Sequence, residues 1–498
     1  MITRARAARV FSGFFETGGT IRQKAIRGTV WTIFSQWVSK PVQFIQTIIL
    51  ARLLNPSDFG LMGLLFVIVG TINVFVAPGM QSALIQRKEV DRVALNTAWV
   101  VSIFGSIAKS VLLFISAPYA AAFYDAPLLG QIIKLFALSY FIGGFRNVGM
   151  ILYRREIDMR MITIAEQISV LSQVVVTVFL AFWFRNVWAL VIGTIAGEAV
   201  SLIASFILSP YRPSFAFDYR MARGLFRFGR HILLTGIILL AIEKSDRALL
   251  GKVLDLDAVG FYSMAYALAI LPSTYLTGII GQVLFPVFSR LHDKVESLRN
   301  GFLTILKFLS LITIPASLGI MILAPEIVGV VYGAKWLPMV ASLRVLCVFG
   351  MIRSIVTLSG TLFQGTGKPQ YLTAVSFAQL LIMAVLIYPL TKTYHILGTS
   401  IAVTVPMVLV QGWALKKSAE IIEGKLSVML KILGLPLVGS VAMFLMLFFV
   451  KTYVVPQTSL MSLLGLVLLG AVTYASMIIL IDRKILTETK AFIRSIGE

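Results

Sequence analysis

Runs of about 20 apolar residues recur along the whole chain, each long enough to cross a hydrocarbon core roughly 30 Å thick. Fourteen membrane-spanning helices are expected, near 28–51, 60–84, 94–117, 128–152, 162–184, 187–209, 230–251, 258–285, 302–324, 338–363, 371–391, 395–415, 429–450 and 459–481. The composition agrees: the 498 residues are 58% hydrophobic and 13% charged, where soluble chains carry about 25% charged residues. A soluble globular enzyme is thereby excluded. The single cysteine, Cys347, rules out an internal disulfide and any Cys-based zinc site. His231, His292 and His395 are widely separated, so neither a metal nor another cofactor is expected.

Charge orients the spans. Residues 1–27 carry Arg4, Arg6, Arg9, Arg22, Lys24 and Arg27 but no compact apolar core with a small-residue cleavage site, so they read as a basic cytoplasmic tail. With that tail inside, 29 of the 44 Lys and Arg fall in cytoplasmic segments, six in outer loops and nine within spans. Both termini are therefore expected in the cytoplasm, with a cytoplasmic linker at 210–229 and a C-tail at 482–498. Most of the +22 net charge is topogenic. Basic residues interleaved with exposed aromatics, the pattern of nucleic-acid binding, are absent. The basic segments, Arg212 to Arg230 and the N-tail, are candidates to grip anionic lipid headgroups, but topology alone accounts for them better.

The chain also repeats itself. LARLLNPSDFG (Leu50 to Gly60) aligns with LGKVLDLDAVG (Leu250 to Gly260) at an offset of 200 residues, pairing Arg52 with Lys252 and Gly60 with Gly260. Ala117-Pro118 pairs with Ala324-Pro325, Tyr124 with Tyr332, Leu135 with Leu343 and Phe141 with Phe349, at offsets of 207 to 208. Transporters are often built from duplicated halves. Spans one to six (28–209) and seven to twelve (230–415) then form two lobes of like orientation, with spans thirteen and fourteen (429–481) appended.

Polar residues inside the spans point to a wet interior. Gln36, Lys40, Gln43 and Thr47 recur at steps of four, three and four, one helical stripe that Ser35, Ser39 and Gln46 widen. Lys40 stands about 12 residues into its helix, about 18 Å deep, and a lysine there costs at least roughly 2.5–3.5 kcal/mol against lipid. Pro41 follows and would bend the helix. Glu243, Asp246 and Arg247 share a face of the seventh span, and a Glu243–Arg247 pair is the purely structural alternative. Lys244 is turned about 100° away. Lys109, Glu198 and Arg353 are the deepest of the other interior ions, while Arg146 and Lys307 lie close enough to the cytoplasmic end to snorkel and are set aside.

LARLLNPSDFG, the ALIQRKEVD that follows, and LLGKVLDLDAVGFYSMAYALAILP with LFPVFSRL resemble the polysaccharide transporter family, of the superfamily that holds multidrug antiporters and the lipid II flippase. The likeness runs to about residue 430. It implies two six-helix lobes around a central cavity open alternately to either side. It also implies a cargo, an oligosaccharide on an undecaprenyl pyrophosphate carrier in a bacterial cytoplasmic membrane, with a polymerase as a candidate partner. SKPVQFIQTIILAR (Ser39 to Arg52) resembles the first-helix segment of the lipid II flippase, where basic residues stand at the places of Lys40 and Arg52. That relative has a basic–acidic pair where this chain has Gln46-Thr47, and an arginine near its eighth helix where this chain has Tyr266 and Ala267.

Nine interior cations outnumber five interior acids, which favours an anionic cargo. Lys40, Arg52, Lys109, Lys244, Arg247 and Arg353 are the candidate pyrophosphate ligands. Gln36 and Gln43 are candidates for the sugar hydroxyls, and Glu198, Glu243 and Asp246 for ion coupling. A membrane potential negative inside drives an anion outward by about 2.3 kcal/mol per charge per 100 mV. A membrane polymerase is disfavoured because the outer loops are short and poor in acids. An ATP-driven pump is disfavoured because Gly365-Thr366-Gly367-Lys368 runs into Pro369 without phosphate-loop spacing. An ion-coupled small-molecule antiporter is the remaining alternative.

Overall fold

The computed structural model describes residues 21–75, 91–156, 158–454 and 459–482, and all regular structure in them is helical. The first 20 residues, the loop with Arg87 and Lys88, and the C-tail from residue 483 lie outside the described residues. Ten helices are long and apolar enough to span a membrane. One of them, Pro369–Ile421, covers two expected spans: it breaks at His395, whose φ of 53° lies in the left-handed region. There the Thr391 and Thr399 hydroxyls hydrogen-bond at 2.8 Å, and a Cβ on Gly398 would strike the Leu390 carbonyl, so the halves double back.

The other three expected spans coincide with helices too polar or too interrupted to pass on hydropathy. The first and seventh belong to Ile21–Leu53 and Tyr219–Val253, and the eighth is split at Ile270 ahead of Pro272. Two helices also start earlier than hydropathy places them, at Ile21 and at Tyr219. Charged side chains hide the helical signal there, although they can sit on a helix that emerges into the headgroup layer.

The chain divides into two compact units, 1–54 with 64–240 and 55–63 with 241–498. The helices of the first are α1 (Ile21–Leu53), α2 (Pro56–Phe75, from residue 64), α3 (Arg92–Phe123), α4 (Pro127–Gly144), α5 (Met150–Arg155), α6 (Met159–Phe184), α7 (Trp188–Leu208) and the first part of α8 (Tyr219–Val253). A Cβ at Gly193 would strike Thr177 and one at Gly197 would press on Gln173, so this glycine pair, four apart, lets α7 lie close on α6. Between α7 and α8 the chain is pinned rather than loose. Asn96 of α3 donates to Ser214 Oγ (2.7 Å) and accepts from the Tyr211 hydroxyl (2.6 Å), and Asn147 donates to the Tyr211 carbonyl (2.7 Å).

In the second unit the 200-residue repeat meets itself. A Cβ on Gly60 would collide with the Leu256 carbonyl, and one on Gly260 with the Pro56 carbonyl, so two helix starts 200 residues apart cross reciprocally with only glycine between them. Trp336 is fully buried, with its ring edge-on to Phe59 (5.2 Å) and Phe261 (5.8 Å). The unit continues with α9 (Leu256–Ala269), α10 (Leu271–Leu291), α11 (Val295–Ile322), the short α12 (Ala324–Ile327), α13 (Val340–Gly365), the doubled α14 (Pro369–Ile421), α15 (Leu426–Tyr453) and α16 (Leu460–Ile481). Leu298, Phe302, Leu306 and Leu309, one face of α11, pack with Leu358 and Leu362 of α13 and Met429 of α15. The appended pair is tied to this body at three levels: Lys451 to Glu326 (2.7 Å), the Tyr474 hydroxyl to the Leu311 carbonyl (2.8 Å) and Lys307 to Asp482 (3.2 Å). Its outer face, with Leu445, Phe448, Leu464 and Leu468 exposed, is the surface a helix offers to lipid.

Candidate functional site

Each unit holds a polar group inside its helices. In the second unit it begins at Asp246 of α8, which is 1% exposed. Its carboxylate accepts the Tyr262 hydroxyl at 2.8 Å and lies 3.4 Å from the Arg247 guanidinium. Arg247 in turn lies over the Tyr266 ring, 4.5 Å from the centroid. From α13, Arg353 donates to the Tyr266 hydroxyl at 3.0 Å, and Phe349 packs against that ring at 5.5 Å. Tyr262 and Tyr266 are one helical turn apart, so α9 presents both to the same neighbours. Two guanidiniums thus converge on one tyrosine, and the Asp246 carboxylate touches one of them.

The expected alternative on α8 changes accordingly. Glu243 is exposed and hydrogen-bonds Arg247 through its backbone carbonyl (3.0 Å), while its carboxylate acts on Arg247 from beyond ion-pair distance; the carboxylate in contact with Arg247 is that of Asp246. Tyr262 accounts for the choice, because it holds the Asp246 carboxylate at the buried side of the helix. Lys244 is half-buried, with no carboxylate at ion-pair distance among the described residues.

In the first unit, Glu198 of α7 pairs with Arg146, just beyond α4. Arg146, set aside on sequence, thus meets Glu198 with its side chain still 44% exposed. The pair borders a cavity of about 250 Å³ that Ser106, Lys109, Tyr140 and Thr194 also line. Lys109 Nζ stands 5.8 Å from the centre of the Tyr140 ring, and the Tyr140 hydroxyl accepts from Asn73 of α2 at 2.6 Å. An adjoining cavity of about 230 Å³ shares Gly143 and Arg146 and reaches Glu166, which lies 3.6 Å from Arg154.

The α1 stripe divides in two. Ser35, Ser39 and Gln46 are buried, and the Gln167 side chain of α6 donates to Ser35 Oγ (2.7 Å) and to Ser39 Oγ (2.6 Å). Ser35 and Ser39, expected to widen the wet stripe, are instead the polar joint between α1 and α6. Gln36 is exposed and Gln43 half-buried. Lys40 is half-buried, with no carboxylate at ion-pair distance among the described residues. Arg52 is exposed in the last turn of α1. Sequence reasoning did not single out Asn73, Tyr140 or Tyr262, and placed Phe349 only in the repeat. Only Tyr262 left a signal, its spacing of four from Tyr266.

Helical spans with charged and hydrogen-bonding side chains held inside both units define a polytopic helical membrane protein with a polar interior. The chain belongs to the family described as polysaccharide biosynthesis protein, whose profile matches residues 49–341, more than half of its length. Among curated relatives it is 27% identical to the lipopolysaccharide biosynthesis protein WzxC of Escherichia coli (strain K12), over 70% of this chain and 71% of that one. It is 24% identical to the teichuronic acid biosynthesis protein TuaB of Bacillus subtilis (strain 168), over 70% and 73%. Its fold is similar to that of the lipid II flippase MurJ in an inward closed conformation, with a TM-score of 0.75 at 13% identity over 92% of this chain and 99% of that one. It is also similar to an inward-facing MATE family multidrug resistance transporter of the MOP superfamily (TM-score 0.62, 16% identity, 83% and 98%).

Proposed function

We propose that this protein is a flippase, which carries oligosaccharide repeat units linked to undecaprenyl pyrophosphate across the bacterial cytoplasmic membrane for surface polysaccharide synthesis. The observation that carries the reading is the convergence of Arg247 and Arg353 on Tyr266, with Asp246 as the one carboxylate at ion-pair distance from either guanidinium among the described residues. Two guanidiniums with a single contacting carboxylate inside a membrane protein are an attractive seat for an anion, and guanidiniums match phosphate oxygens geometrically. Lys40, without a carboxylate partner among the described residues, adds a further cation. Relatives named for lipopolysaccharide and teichuronic acid biosynthesis support the glycan side of the reading.

In this mechanism 28–209 and 230–415 are the two lobes that open the interior alternately to either side, with both termini in the cytoplasm. The sugars and the pyrophosphate cross within the polar interior while the polyprenyl tail stays in lipid. The protein breaks no bond, and a polymerase takes over the delivered unit. Asp246 holds Arg247 in place and so serves as a positioning residue.

Depletion in cells should leave completed lipid-linked units on the cytoplasmic leaflet. Arg353→Ala and Lys40→Ala should reproduce that block at normal expression and membrane insertion. Units that cross but stay unpolymerised outside would make the protein a polymerase. Full activity of both variants would break the cation-based mechanism.

A further inference from the structure

The cavity of the first unit has chemistry of its own. Arg146 and Glu198 neutralise each other on its wall, and Lys109 has no carboxylate at ion-pair distance among the described residues. Lys109 lies at the middle of the 32-residue α3, so its ammonium stands near mid-membrane, where an uncompensated charge is costly. Two other donors converge with it. Ser106, one turn earlier on the same face of α3, lines the same cavity. The Tyr140 hydroxyl accepts one hydrogen bond from Asn73 and keeps its own proton to give.

One cation and two hydroxyl donors around about 250 Å³ match a single negative charge spread over two acceptor oxygens. A pyrophosphate, with more charge and more oxygens, suits the paired guanidiniums of the second unit better. The volume holds several waters at about 30 Å³ each and falls at the low end of ligand pockets, roughly 300–1,000 Å³. That is room for one sugar ring and not for a chain of them.

We propose that this cavity is a selectivity subsite for a uronate, a sugar ring bearing a carboxylate, with Lys109 as its counter-ion and Ser106 and Tyr140 as hydrogen-bond donors. The proposal rests on the flippase reading and gives it a preference among repeat units: the acidic sugar of a unit docks in the first unit's cavity while the carrier phosphates are held elsewhere.

The test uses cells lacking their own flippase and supplied with two lipid-linked repeat units that differ only in glucuronate against glucose at one position. Lys109→Gln should lower the ratio of acidic to neutral export by about tenfold, the worth of one charge-assisted hydrogen bond, and Lys109→Arg should restore most of it. An unchanged ratio overturns the subsite. Arg353→Ala, which should stop both units, reports separately on the flippase reading. Purified protein in nanodiscs, titrated calorimetrically with sodium glucuronate, glucose and inorganic phosphate, decides the matter without transport. Glucuronate binding that Lys109→Gln removes and glucose does not reproduce supports the proposal. No glucuronate binding, or equal Lys109-dependent binding of phosphate, overturns it.

Discussion

The two interior charge pairs differ in how much water they keep. Asp246 and Arg247 have side chains only 2% and 12% exposed, locked by Tyr262 and Tyr266, whereas Glu198 and Arg146 are 29% and 44% exposed on a cavity wall. Breaking a dry pair strands a charge that solvent cannot reach, so the loss is much larger than the net worth of the pair. A wet pair is screened and its partner rehydrates. The second unit thus uses the Asp246 carboxylate to fix a cationic surface, and the first keeps a pair that solvent already reaches, beside Lys109, which has no carboxylate at ion-pair distance among the described residues.

Asp246→Asn sharpens this contrast most. It removes the charge and keeps the shape, so Arg247 is left buried without its contacting counter-ion at a cost of about 3–5 kcal/mol. Cys347 is the single cysteine and is buried, so a thiol-reactive dye in a melting experiment reads the unfolding directly. Tyr262→Phe should come next, at about 1–3 kcal/mol, because one Asp246 oxygen then loses its hydrogen bond in a dry site. Glu198→Gln should shift the same melting curve by no more than about 1 kcal/mol. A larger loss from Glu198→Gln than from Asp246→Asn would invert the comparison.

The repeat shows how far pattern matching carries and where it stops. Gly60 and Gly260 align in the sequence at an offset of 200, yet nothing in the alignment says that each glycine is pressed against the other copy's helix start. Ser35 and Ser39 teach the opposite lesson. A helical stripe tells which residues share a face, but not whether that face meets water or, as with Gln167, another helix. The Arg146–Glu198 pair is of the same kind, since distance along a helix measures depth and leaves direction open.

The sequence by itself determined the membrane, the approximate helices, the excess of interior cations and the family resemblance. Each of these follows from local composition or from residues in line, because a bilayer imposes its thickness on every span separately. Only the tertiary structure decided which charges meet. Asp246, Tyr262, Tyr266, Arg247 and Arg353 come from three helices, and Asn73, Lys109, Tyr140 and Glu198 from four. A hydrogen bond or an ion pair depends on a few ångströms and a direction, which the packing of helices sets and the order of residues does not.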